Sequence, residues 1–194
     1  IVEQSVLLIF EIGFEQFTFK KLGEHIDSNE SSIYRYFENK HKLLLYLSCW
    51  YWSWMEYLLL MQLLKVSSKH ERLDTALNLL TQPNIDLANT THIPVKELRE
   101  IIINEFTKSY LTKTVDKENE EGFFFPYKRF VLRFAEIFER INSDYAYPRS
   151  LASSVVEGVF HQQFVRLHFK SITDMKTDTD LKEFYKQLIL KTLS

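Results

Sequence analysis

The chain has 194 residues, 24 basic and 26 acidic side chains, a formal net charge of -2, and 45% hydrophobic and 15% aromatic content. That length and apolar content build a sizeable core and exclude disordered and low-complexity classes. Four Gly and four Pro leave few turns for a many-stranded fold, and the single cysteine, Cys49, excludes an internal disulfide framework or a Cys-rich zinc module and fits a reducing cytoplasm.

The chain opens on Ile1 inside an amphipathic pattern, with acidic Glu3 and no basic n-region or small-residue cleavage site. No signal peptide is expected, and native residues are expected to precede Ile1. Val2, Val6, Ile9 and Phe10 then predict a short helix that stops at Gly13, a residue suited to the left-handed conformation at helix ends. Thr18 is placed to cap a second short helix with Phe19, Leu22 and Ile26 on one side and a small residue, Gly23, where another helix can come close. Asn29 caps a predicted third helix, Glu30 to Phe37, with Ile33 and Phe37 inward, and Asn39 caps the fourth.

Leu43 to Leu64 is long and apolar enough to suggest a membrane span, but Glu56, Gln62, Ser48 and Ser53 interrupt it, which favours a central helix covered on most sides. Helical spacing recurs in Val95, Leu98, Ile102, Phe106 and Tyr110, in Phe130, Phe134, Ile137, Phe138 and Ile141, and in Leu181, Phe184, Tyr185, Leu188 and Ile189. Breaks are expected at Gln82 to Pro94, at the acidic run Thr114 to Gly122, around Asn142 to Pro148 and at Thr173 to Asp178. No sustained period-two alternation predicts a sheet, so the fold class is all-α with about nine helices.

Two short helices joined by a tight turn, the second polar outside, form a helix-turn-helix arrangement. Side chains that hydrogen-bond base edges, with hydroxyls, phenols and cations at the margins for phosphates, are what a recognition helix requires. Ser31, Ser32 and Arg35 are placed for bases, and Thr18, Tyr34, Tyr36 and Lys40 for phosphates. Packing alone is the competing reading of this helical trio.

The residues Phe10-x-x-Gly13-Phe14, Thr18-x-x-x-Leu22 and Ser32-Ile33-Tyr34-Arg35-Tyr36-Phe37-x-Asn39-Lys40-x-x-Leu43-Leu44 resemble the TetR family of transcriptional repressors over the first quarter of the chain. The resemblance implies a DNA-binding domain at 1–45, a ligand-binding and dimerisation domain at 46–194, and a cytoplasmic homodimer that binds a palindromic operator and releases it when a small, largely apolar ligand binds. Under it, Trp54, Tyr57, Met61, Phe106, Tyr110, Phe130, Phe134, Phe160 and Phe164 become pocket candidates, and Val155, Val159, Leu181, Phe184 and Leu188 interface candidates, with simple packing the alternative for each. The family usually has Gly where this chain has Asp27 and an apolar residue where it has Ser28. Residues 1–57 also hold five basic and eight acidic side chains, a net of -3, with Glu30 at the start of the third helix. That balance motivates a second reading, a helical ligand-binding protein with a degenerate DNA-binding unit.

Glu157 and His161, with His168 two turns on, offer a weaker metal-sensing alternative. No cofactor or bound metal is expected. Without a phosphate loop, nucleophile elbow or histidine-glutamate metal motif, the chain does not read as an enzyme. Cys49 reads as a small buried apolar group rather than a sensor thiol.

Overall fold

A computed structural model describes residues 1–82 and 92–194. Among these it contains ten α-helices and no strand: α1 (Val2–Ile12), α2 (Phe19–His25), α3 (Glu30–Tyr34), α4 (Lys40–Leu63), α5 (Lys69–Thr81), α6 (Val95–Tyr110), α7 (Val115–Glu120), α8 (Phe125–Ile141), α9 (Pro148–His168) and α10 (Asp178–Thr192). Most of the break expected at Gln82 to Pro94 lies outside the described residues. Among the latter no helix is long and apolar enough to cross a membrane.

The chain forms two compact units, Ile1–Tyr51 with Asn84–Phe125, and Trp52–Pro83 with Pro126–Ser194. In the first, α1 buries Val6, Leu8 and Ile9 and packs on α6 and α2, while Phe10 stays 47% exposed. α1 stops at Gly13, whose N–H makes the last helical bond to the Ile9 carbonyl at 2.8 Å and whose φ of 79° then turns the chain out of the helix. On α6, Lys108 bridges Glu105 (2.8 Å) and Glu15 (2.7 Å); these bonds hold the ammonium above its ordinary range and Glu15 below the usual carboxylate range.

The acidic run read as a break is largely α7. Asp116 and Glu118 sit in its first turn, where the helix dipole favours negative charge. Glu118 is buried, with Oε1 at 2.9 Å from His41 Nε2 and 3.3 Å from Lys42 Nζ. Lys42 also reaches Glu121 at 2.9 Å. Burial pushes the Lys42 ammonium down, but the bonds to Glu121 and Glu118 outweigh it and leave its pKa raised.

In the second unit, α10 packs on α5 and α9. A capping box starts α10: the Thr177 side chain accepts from Asp180 N–H, and the Asp180 carboxylate accepts from Thr177 N–H at 2.8 Å. α9 begins with Pro148 at its first turn and ends at His168, followed by a 3-10 turn at Lys170–Ile172. Gly158 lets α10 approach α9: a Cβ there would stand 2.4 Å from the Tyr185 hydroxyl. Helix α4 is covered on most sides, with residues such as Leu44, Leu47, Tyr51, Met55 and Leu59 buried, and keeps one outward stripe of Tyr46, Tyr57, Leu60 and Met61, each at least 40% exposed. Its central Glu56 is only 1% exposed and is paired with Arg129 and, at 3.2 Å, Arg133 of α8.

Candidate nucleic-acid interface

Both short helices of the N-terminal unit are started by side-chain caps. Thr18 Oγ1 accepts from Lys21 N–H at 3.2 Å, and Asn29 Oδ1 accepts from Ser32 N–H at 2.9 Å. The turn between them closes through Ser28 N–H to the Gly23 carbonyl at 2.8 Å, and Asp27 occupies the left-handed region at φ 51°. Asp tolerates that region better than most residues but not as well as Gly. The variant Asp27→Gly is therefore expected to gain ~0.5 kcal/mol of stability, net of glycine's larger unfolded-state entropy; a lower urea midpoint would contradict this account of the turn.

Ile33 is fully buried and pins α3 to the unit, while Ser31, Tyr34, Arg35 and Tyr36 point out. Regular helix ends at Tyr34 rather than Phe37, and Tyr36 and Phe37 N–H groups both turn back to the Ile33 carbonyl at 2.9 and 3.1 Å. Ser31 and Ser32 hydroxyls both donate to Asn29 Oδ1, at 2.6 and 2.9 Å. Tyr34 is 52% exposed with its ring edge-on to Phe19 at 5.0 Å, and Tyr36 is 71% exposed. Thr18, Ser31, Ser32, Tyr34, Arg35 and Tyr36 are thus brought to one short helix-turn-helix segment.

Lys40 is placed differently from its expected phosphate role. Its ammonium donates to the carbonyls of Phe14 (3.0 Å), Glu15 (3.1 Å) and Phe17 (3.4 Å) and lies 4.9 Å from the Phe14 ring centre. All three N–H bonds are therefore directed at the loop before α2, and Lys40 serves as a clamp. Lys21 donates to the Gln16 carbonyl at 2.9 Å, and Lys42 is held by Glu118 and Glu121. Of the five cations in 1–57, Lys20 and Arg35 alone make no hydrogen bond or ion pair among the described residues. A shallow hollow between α2 and α3 is lined by Glu24, Asp27 and Glu30 against Lys20, so it disfavours phosphate.

The pocket candidates divide between the units. Phe106 and Tyr110 pack edge-on at 4.9 Å in the first. In the second, Phe130 and Phe160 are buried against Trp52, a residue outside the expected set, whose ring lies 5.1 to 5.3 Å from Tyr127, Phe130 and Phe160, and buried Phe134 packs on Phe130 at 5.3 Å. Trp54 is buried, Phe164 packs on His168 at 4.5 Å, and Tyr57 and Met61 are exposed at 59% and 46%. The face of α4 that carries Tyr57 and Met61 therefore turns outward.

The interface set also needs correcting. Val155, Val159 and Leu181 are at most 1% exposed and bury against their own unit, leaving Phe184 and Leu188 at 45% and 43% on the surface. The Glu157 carboxylate accepts from the Tyr127 hydroxyl at 2.7 Å. Among the described residues, no group of three His, Cys, Asp or Glu side chains could hold a metal. Cys49 donates to the Phe123 carbonyl at 2.7 Å, and burial raises its thiol to about 11. Only ~0.1% thiolate is then present at pH 8, so iodoacetamide should label the folded chain far more slowly than the urea-unfolded chain; equal rates would contradict this placement.

The family model described as bacterial regulatory proteins, tetR family, matches residues 1–47. No curated protein matches the chain by sequence. Solved structures match nearly the whole chain. AibR in complex with isovaleryl coenzyme A and operator DNA is 16% identical, at a TM-score of 0.64 over 96% of this chain and 94% of that one. The fatty acid degradation regulator FadR from Bacillus halodurans is 19% identical, at 0.65 over 97% and 95%. The TetR family transcriptional regulator PfmR from Thermus thermophilus is 15% identical, at 0.64 over 100% and 98%. At these identities the structures establish the fold, and the match to the tetR family of bacterial regulatory proteins is carried by residues 1–47, the helix-turn-helix unit.

Proposed function

We propose that the chain is a cytoplasmic transcriptional regulator that binds a palindromic operator as a homodimer, represses from it, and lets go when a small, largely apolar ligand occupies its 46–194 region. It works by binding alone, without catalysis or a cofactor. The observation that carries this reading is α3: a capped helix pinned by Ile33, presenting Ser31, Arg35, Tyr34 and Tyr36 to solvent where a major groove would meet them. Similarity to AibR, solved with operator DNA and isovaleryl coenzyme A, supports coupling of DNA and ligand in this fold. In a two-protomer arrangement the recognition helices sit ~34 to 36 Å apart on successive grooves, and a ligand releases DNA by as much as it favours another spacing.

Arg35 is the base-reading cation in this scheme. Arg35→Ala should weaken operator binding by ~1–3 kcal/mol and relax preference at one base pair per half-site; unchanged affinity would reject the role. With Arg35 on a base, Lys20 is the uncommitted cation of residues 1–57 left for phosphate in each protomer, so a dimer of this chain neutralises about two phosphates there and log K should fall with log salt at a slope of roughly -2. A fragment-library selection at two salt concentrations measures both quantities.

The net charge of -3 over residues 1–57 and the acidic rim at Glu24, Asp27 and Glu30 favour a second reading, a ligand-binding protein whose DNA unit is degenerate. A folded dimer that enriches no palindrome at either salt would establish that reading over the first.

A further inference from the structure

We propose that Gln163 is the polar anchor of the effector site, and that the effector is a neutral, largely apolar molecule carrying a hydroxyl or N–H donor; this rests on the effector-binding reading above. Gln163 lies on α9 in the second unit and is only 3% exposed. Its Nε2 donates at 3.2 Å to the carbonyl of Thr81, the last residue of α5, which fixes which way the amide points. The other end, Oε1, is buried and has no hydrogen-bond partner among the described residues. Folded proteins rarely leave an amide oxygen sealed from water with no donor, because water would have bonded it in the unfolded chain. A residue needed there for packing alone could have been Leu or Met.

The neighbourhood has the composition of a small-molecule site. Phe160 and Val156 lie one and two turns earlier on the same face of α9 and are buried. The Phe160 ring is 5.2 Å from Trp52, which in turn lies 5.3 Å from Phe130. Apolar and aromatic surfaces supply contact area, and a single acceptor fixes orientation. An amide oxygen selects a donor. It offers no counter-charge, so an ionised group would be buried unpaired at large cost, which points to a neutral ligand.

The test uses calorimetric titration of the chain with 4-butylphenol and 4-butylanisole, which share a skeleton and differ in the donor. The phenol is expected to bind ~10-fold more tightly, the worth of a buried hydrogen bond whose acceptor is otherwise unsatisfied. In Gln163→Met the preference should shrink to about 2-fold or less, because the acceptor is gone while the bulk remains. Equal affinities in the wild-type chain would overturn the Gln163 assignment and leave an apolar effector site standing. A preference that survives in Gln163→Met would also overturn it. Binding of neither probe would overturn the apolar effector site and this assignment with it. Because the wild-type comparison decides between these by itself, a variant that fails to fold does not weaken the test.

Discussion

Replacing Arg129 and Arg133 together by Met is expected to cost ~3–5 kcal/mol of folding stability, the largest effect anticipated from two substitutions at partly exposed positions. The reason lies with their partner. Glu56 is 1% exposed in the middle of α4, and both guanidinium groups reach its carboxylate from α8. Without them a negative charge stays buried with no compensation, whereas the arginines, 47% and 33% exposed, would simply be hydrated if Glu56 were lost. The triple variant with Glu56→Leu should accordingly recover most of the loss. Urea melts of the two variants check this, and a double variant within ~1 kcal/mol of wild type would show that Glu56 does not depend on the pair.

Gly23→Ala is expected to disable the helix-turn-helix while leaving the second unit folded. A Cβ at residue 23 would stand 2.7 Å from the Ser28 carbonyl oxygen and 3.4 Å from the Glu30 nitrogen, and both are backbone atoms that cannot rotate away. The turn must open, and α3 with it. Overpacking of this kind costs ~1–3 kcal/mol, and even an ångström of displacement on α3 would break hydrogen bonds to base edges. Operator affinity should therefore fall at least ~10-fold, with α5, α8, α9 and α10 unaffected by hydrogen exchange. Normal operator binding by Gly23→Ala would mean that the turn tolerates a wider separation than its geometry indicates.

What was legible from sequence is what is local. Thr18, Asn29 and Asn39 cap helices through bonds to N–H groups three residues on, so the pattern of a polar residue before an apolar period carries the information. Lys40 misled because its three carbonyl partners lie 23 to 26 residues earlier, and a lysine beside a recognition helix looks like a phosphate contact until the loop folds back on it. The acidic run around Glu118 resembled a solvated loop for a related reason: the His41 that receives it is 77 residues away. For α9 and α10, apolar spacing identified helices but not their neighbours. Val155, Val159 and Leu181 are taken up within one chain, and that choice is made by tertiary packing rather than by period.

The clamp at the start of α4 has a consequence for how the helix comes apart. The first turn of a helix ordinarily frays, because its N–H groups lack partners and its side chains are held by little else. Here Asn39 Oδ1 takes the Lys42 N–H at 2.9 Å, Lys40 ties its first residue to three loop carbonyls, and His41 and Lys42 both hold Glu118. Three consecutive side chains, each anchored to a different stretch of chain or to buried charge, convert a loose end into a splice. Opening of α4 should therefore begin at its Leu63 end, with backbone amides near Leu43 among the last in the helix to exchange with solvent.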